Sequence, residues 1–240
     1  MSREKDFMRI AATSVAGLLI SGGALAQDVD QTGWKYVIAP YAWGTSIDGK
    51  VTVGDREADV SADFGDVVDF VDTAAALRFE AMKKWGFFGD IWFASLSNEE
   101  ETPIGNVEVT FDQTIAEAGA LYAFQSDLVG YFGARYQQLD GELDIPIGGE
   151  RSSDKDWTDA IIGARYTPAL SHRWQGILRA DVGGGDSDLT WLAQAGVGYR
   201  FSDSWSGRIA YRYLDTDFDE GNFQWDIAQE GLGLGLAYEF

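Results

Sequence analysis

The sequence predicts an all-β chain: an antiparallel, up-and-down transmembrane β-barrel of about ten strands, with eight and twelve as alternatives. Three observations lead there. Runs long enough to cross a bilayer alternate apolar and polar residues with period two, the spacing that sends neighbouring side chains to opposite faces of a strand. The connections between those runs alternate between short and long. Tryptophans and other aromatics gather at run ends on the short-connection side.

Composition narrows the function classes. The 240 residues include no cysteine, so disulfides and thiolate metal sites are excluded. Mean hydropathy is −0.17, and beyond Trp34 no uncharged stretch approaches the roughly 20 residues of a membrane helix. A barrel needs no such stretch, because half of each strand faces a polar interior. A formal charge of −21 argues against nucleic acid as a partner.

Taken in order, residues 1–26 read as a cleaved signal peptide. Arg3, Lys5 and Arg9 precede the uncharged run Ile10–Ile20, and Ala24-Leu25-Ala26 supplies a small-x-small cleavage pattern. That run is far shorter than the roughly 20 residues of a spanning helix. Cleavage before Gln27 removes three positive and two negative charges and leaves the mature chain at −22. Residues 27–240 form the barrel. Strands are expected near 34–47, 73–83, 86–97, 107–124, 127–143, 156–168, 173–184, 189–201, 205–217 and 224–240. Tight turns fall at 83–86, 125–127, 168–172 and 202–204; longer loops are expected at 48–72, 98–106, 143–155, 184–188 and 215–223. An even strand number puts both termini at the short-turn end.

Two places in this reading are less regular. Pro40 interrupts the ladder of the first strand, because it has no N–H to donate. The loop 48–72 is acidic (Asp55, Glu57, Asp59, Asp63, Asp66, Asp69, Asp72). Within it Phe64, Val67, Val68 and Val71 have helical spacing, and Lys50–Val53 has the makings of a short hairpin with Ala58–Ser61.

The two faces stay in phase from strand to strand. Phe132, Ala134 and Tyr136 oppose Tyr131, Arg135 and Gln137; Ala195, Val197 and Tyr199 oppose Gln194 and Arg200. In the last ten residues Leu232, Leu234, Leu236, Tyr238 and Phe240 share one face, and Gly231, Gly233, Gly235, Ala237 and Glu239 the other. Trp34, Trp85, Trp174 and Trp205 lie at one level, where Phe124, Tyr166, Phe201 and Phe240 join them. Such a ring is the interfacial girdle of a transmembrane barrel.

The ending Gly235-x-x-Tyr238-x-Phe240 resembles the terminal assembly signal of small Gram-negative outer-membrane β-barrels of the opacity-protein/porin-like group. Gly233 stands where that signal usually has a polar residue. The resemblance covers 34–240 by pattern and is specific only in this motif. It implies an integral outer-membrane protein, exported by its signal peptide and inserted by the barrel assembly machinery. Its surroundings would be outer-membrane lipid and lipopolysaccharide, and it would be a monomer.

The polar face collects Arg78, Glu80, Asp90, Glu117, Arg135, Arg165, Arg179, Asp181, Arg200, Arg208 and Arg212. Buried charges must be paired or wet. One reading is a salt-bridged network that fills a narrow barrel with a structural or surface-interaction role. The other is a narrow, porin-like channel for small anionic solutes, since arginines outnumber carboxylates. A barrel of about eight strands is just wide enough for its own side chains, which favours the filled interior. No metal or cofactor is expected. Asp215-x-Asp217-x-Asp219-Glu220-Gly221 misses the calcium-loop pattern because the glycine comes one residue late, so solvated acidic loops are expected. Gly231-x-Gly233-x-Gly235 continues a strand and opens no helix, so it is no nucleotide loop. His172, the one histidine, falls in a short turn away from any outer-rim serine, which leaves histidine-based catalysis without a base; the chain is not expected to be an enzyme.

Overall fold

The computed structural model describes residues 33–65, 71–102, 105–145 and 149–240. The expected signal peptide, and Val67 and Val68 of the amphipathic turn, lie outside them. Twelve strands are present: β1 (Lys35–Trp43), β2 (Ser46–Val53), β3 (Arg56–Ala62), β4 (Val71–Met82), β5 (Trp85–Thr102), β6 (Gly105–Ala123), β7 (Leu128–Ile145), β8 (Gly149–Tyr166), β9 (Trp174–Gly185), β10 (Leu189–Arg200), β11 (Trp205–Glu220) and β12 (Phe223–Glu239). β1 and β4–β12 pair in chain order, and β1 pairs back onto β12 from Val37↔Glu239 to Trp43↔Gly233. The result is a closed ten-stranded antiparallel barrel. Closure leaves no unpaired edge within its wall, the condition for crossing lipid.

The two extra strands stand above the wall at the long-loop end. β1 breaks at Gly44-Thr45, and β2 then takes over as the partner of upper β12, from Glu230↔Ser46 to Phe223↔Val53. β3 folds back on β2. The loop expected at 48–72 therefore begins as a hairpin. Its register, Lys50↔Asp59 to Val53↔Arg56, is two residues tighter than the Lys50–Val53/Ala58–Ser61 pairing. Gly54 makes the tight turn possible with φ +63°, a value that glycine adopts without steric cost.

Three other expected loops are also corrected. At 98–106 the β5–β6 ladder runs on to Thr102↔Gly105. At 143–155 the β7–β8 ladder runs to Ile145↔Gly149. At 215–223 β11 and β12 stay paired to Glu220↔Phe223, turning through Gly221 at φ +66°. The polar composition at 215–223 reports solvent on the outward face. It does not report irregular backbone, since each N–H still gains from pairing with the neighbouring strand.

Pro40 keeps its place in β1. Tyr36 and Phe240 exchange both backbone hydrogen bonds, at 3.1 and 3.0 Å, so every second residue of β1 points its N–H toward β12. Pro40 falls on that phase. The β1–β12 pairing lapses between Ile38 and Tyr41 and resumes in the same register, while Pro40↔Leu77 pairing with β4 is intact. One missing donor costs part of a ladder and does not shift it.

Bulky apolar residues fill the interior in layers. Near the short-turn end Phe88, Leu121, Val129, Tyr131 and Ile161 cluster. Higher up come Trp43, Trp92, Ala94, Ile115, Leu192 and Leu214. In the extension Leu139, Trp157, Phe218, Trp225 and Ile227 form a third block. Trp157 and Phe218 stack at 4.5 Å there.

Candidate functional site: a charged lumen inside a lipid-facing belt

The outward face of the wall is apolar from strand to strand. Ile162 (65% exposed), Leu234 (60%), Phe132, Leu178, Val182, Ile209 and Ile91 project from it. At the short-turn end Trp34, Trp85, Trp174, Trp205, Phe124, Tyr166, Phe201 and Phe240 are all exposed. Most of them do not stand alone, for Tyr36, Tyr122, Tyr199 and Tyr238 link them. One chain of ring contacts runs Phe87, Trp34, Tyr36, Phe240, Tyr238, Trp205. Two others run Trp85, Tyr122, Phe124 and Trp174, Tyr199, Phe201. At the other margin Trp191 stacks on Tyr213 at 4.8 Å, and beyond it the outward residues become Asp215, Asp217 and Asp219. An apolar band bounded by amphipathic rings fits a bilayer and is unfavourable in water. Gly235, Tyr238 and Phe240 sit on the strand that closes the barrel, with Tyr238 and Phe240 inside the aromatic chain.

Inside, register decides which charges meet. Arg78, Asp90, Glu117, Arg135 and Asp159 lie directly opposite one another across β4 to β8. Cross-strand neighbours on one face are close enough to interact, and the first four of this row belong to two clusters. In the first, Glu117 accepts from Arg135 Nε and Nη2 at 3.0 and 2.7 Å and from Arg179 Nη2 at 2.6 Å. Asp181 accepts from Arg135 at 2.8 Å, from Arg179 at 3.1 Å and from the Tyr131 hydroxyl at 2.6 Å. Arg135 completes its fork on the Thr190 hydroxyl at 3.0 Å and is 0% exposed. In the second, Glu80 accepts from Arg78 Nε at 2.6 Å and from both terminal nitrogens of Arg165. Asp90 accepts from Arg78 at 3.0 Å and from the Tyr41 hydroxyl at 2.6 Å.

Three members of the expected network stand apart. Arg212 reaches Glu117 only at 3.9 Å and lies over the Trp43 ring at 4.3 Å. Arg208 shares the lumen, yet no ion pair joins it to a carboxylate among the described residues. Arg200 is exposed at the short-turn mouth, too low on its strand to reach the clusters.

The expected network also leaves out inward polar groups, of which only Gln137 had been placed on the polar face. Asp159 is 0% exposed and holds the Ser187 backbone N–H at 2.9 Å. Gln113 and Gln229 exchange amide hydrogen bonds at 3.0 and 2.7 Å, and Gln137 donates to Thr216 at 3.1 Å. Each has the inward phase of its strand, which was the available signal. His172 is exposed in the turn between β8 and β9. Among the described residues no group of three or more metal-ligating side chains is assembled.

A closed barrel with a lipid-compatible belt and a charged interior defines the class: a β-barrel of transmembrane type. The sequence matches no protein-family model and no curated protein. Solved structures of similar architecture do exist. Ail, the attachment invasion locus protein of Yersinia pestis, solved with the heparin analogue sucrose octasulfate, aligns at TM-score 0.45 and 12% identity over 87% of this chain and 99% of that one. Neisserial surface protein A aligns at TM-score 0.36 and 16% identity over 87% and 99%. The outer-membrane protease OmpT of Escherichia coli aligns at TM-score 0.45 and 9% identity over 92% and 100%. These are likenesses of barrel shape, and no functional statement follows from them.

Proposed function

We propose that this chain is an integral outer-membrane β-barrel whose interior is mostly filled, with a structural or surface-interaction role. Its short turns would face the periplasm, and the β2–β3 hairpin with its neighbouring extensions would stand on the cell surface. It would be inserted as a monomer by the barrel assembly machinery and touch lipid and lipopolysaccharide. The layered interior carries this reading: the Trp157–Phe218–Trp225 block caps a lumen already crossed by Arg–carboxylate clusters. Planar-bilayer recording on the refolded protein tests it, and a non-conducting barrel is expected. A second reading, a narrow channel for small anions, draws on the arginine excess; clear single-channel steps with anion preference would establish it and sink the filled-barrel role. The location has its own test. The protein should stay with the membrane fraction at high salt and show a heat-dependent gel shift, and failure of both would remove the outer-membrane reading.

A further inference from the structure

Between the charged clusters and the inward face of β12 lies a cavity of about 110 Å³. Its charged lining is one-sided: Arg78, Arg165, Arg179, Arg208 and Arg212 face it, with Asp90 as the one carboxylate. Asp90 is already engaged by Arg78 and Tyr41. We propose that this cavity is a binding site for a small inorganic anion, held chiefly by Arg208 and Arg212.

Charge accounting across the lumen points the same way. Glu80, Glu117 and Asp181 each hold two arginines, and all of those hydrogen bonds go to Arg78, Arg135, Arg165 and Arg179. Arg208 is left without a carboxylate partner among the described residues, and Arg212 has only a 3.9 Å approach to Glu117, which Arg135 and Arg179 already hold by hydrogen bonds. Arg212 is 7% exposed. The Nε atoms of Arg208 and Arg212 are both shut off from solvent without an acceptor among the described residues. Arg208 also feels Arg165 and Arg78 close by, and Glu80 between them is committed. A buried charge without a partner is strongly unfavourable. Water can accept a hydrogen bond there, but only an anion neutralises the charge. Guanidinium groups are weakly hydrated planar donors and suit halides and small oxyanions.

The space for the ligand comes from the glycines of the last strand. Gly233 and Gly235 line the cavity wall, and a methyl group at Gly233 would meet nothing closer than 3.5 Å. Leucine on the outward face and glycine on the inward face are thus one design: grease for lipid, room for an ion. The site is reached from the short-turn end. Arg208 also lines a small hollow beneath it with Gln175, Arg200 and Glu239, and that hollow adjoins a mouth of about 410 Å³ edged by Lys35, Arg173 and Arg200 and by Asp127 and Glu239. The apolar layers around Trp92 and Trp157 lie on the other side. This geometry describes a blind pocket that holds an anion, which is distinct from a path that conducts one.

The test uses the full barrel folded in detergent, with nitrate exchanged for bulky gluconate at constant ionic strength. Wild type should gain thermal stability in nitrate along a saturating curve, as linkage requires for a single site. R208M breaks no ion pair, so it should fold, be more stable than wild type in gluconate, and gain nothing from nitrate. G233V keeps every charge, fills the cavity and should also lose the nitrate response. Bromide soaked into crystals should give an anomalous peak beside Arg208 and Arg212. A nitrate effect that is linear in concentration, or equal in wild type, R208M and G233V, would overturn the proposal.

Discussion

The most informative perturbation is Glu117→Gln. Glu117 is buried and accepts two hydrogen bonds from Arg135 and one from Arg179, with Arg212 at 3.9 Å. Gln keeps the shape and one acceptor oxygen but removes the charge around which those guanidiniums are arranged. Removing one partner of a buried ion pair costs about 3–5 kcal/mol, because the other charge stays buried. The retained oxygen argues for the lower end, about 3 kcal/mol, a factor on the order of 10² in the unfolding equilibrium. Urea unfolding of the micelle-folded protein, followed by tryptophan fluorescence, measures it. Adding Arg135→Met should recover much of the loss, since a buried pair replaced by apolar residues is often neutral or better. If E117Q stays within about 0.5 kcal/mol of wild type, the range of an ordinary surface substitution, the lumen is wet and screened, and the filled-barrel argument fails with it.

Other consequences follow from other parts of the molecule. Leu234→Arg puts a charge at the middle of the belt and should destabilise the barrel by about 2–4 kcal/mol in lipid vesicles; equal stability would mean that this face does not meet hydrocarbon. Trp157→Ala removes the centre of the outer apolar block at about 3–5 kcal/mol and should open the β7–β8 and β11–β12 extensions to protease while the belt stays protected. Burial, together with Asp226, Asp188, Asp215 and Asp219, pushes the Asp217 carboxyl above its usual value. The folded extension therefore binds that proton more tightly than the unfolded chain. Its contribution is full below about pH 4, the ordinary carboxyl range, and is lost as pH rises through the raised value. Hydrogen exchange in the β11–β12 extension should accelerate from pH 4 to 7 beyond the intrinsic rate, and Asp217→Asn should flatten that excess; an unchanged excess in the variant would contradict the assignment.

The sequence made the two faces legible because their period is local. Arg135 and Phe132 are separated by three residues, and no tertiary knowledge is needed to send them to opposite sides. The closure of β12 on β1 follows from the barrel class itself, since a wall in lipid cannot keep an edge. The pairing inside was not legible. Whether Glu117 meets Arg135, Arg179 or Arg212 depends on the stagger between strands, a global property of closure. Arg200 was assigned to the network by its phase, although its height on the strand places it at the mouth. The extensions were mistaken for loops because solvent on the outer face makes a strand polar without unpairing it. Trp43, Trp92, Trp157 and Trp225 point inward, and single-strand alternation hides them, since the same greasy residue serves lipid and core.

The β2–β3 hairpin leaves the wall with one sheet edge in water, for among the described residues β3 pairs with β2 alone. Exposed edges recruit other strands and start polymers, a particular hazard for proteins crowded into a plane. Here the edge strand reads Arg56-Glu57-Ala58-Asp59, beside Asp55, with Lys50 of β2 already held by Glu57 at 2.8 Å. Two copies zipping edge to edge would press this acidic strand against its own image, across water that otherwise screens it. Like charge along the one open edge thus opposes the growth of a fibre from barrel to barrel.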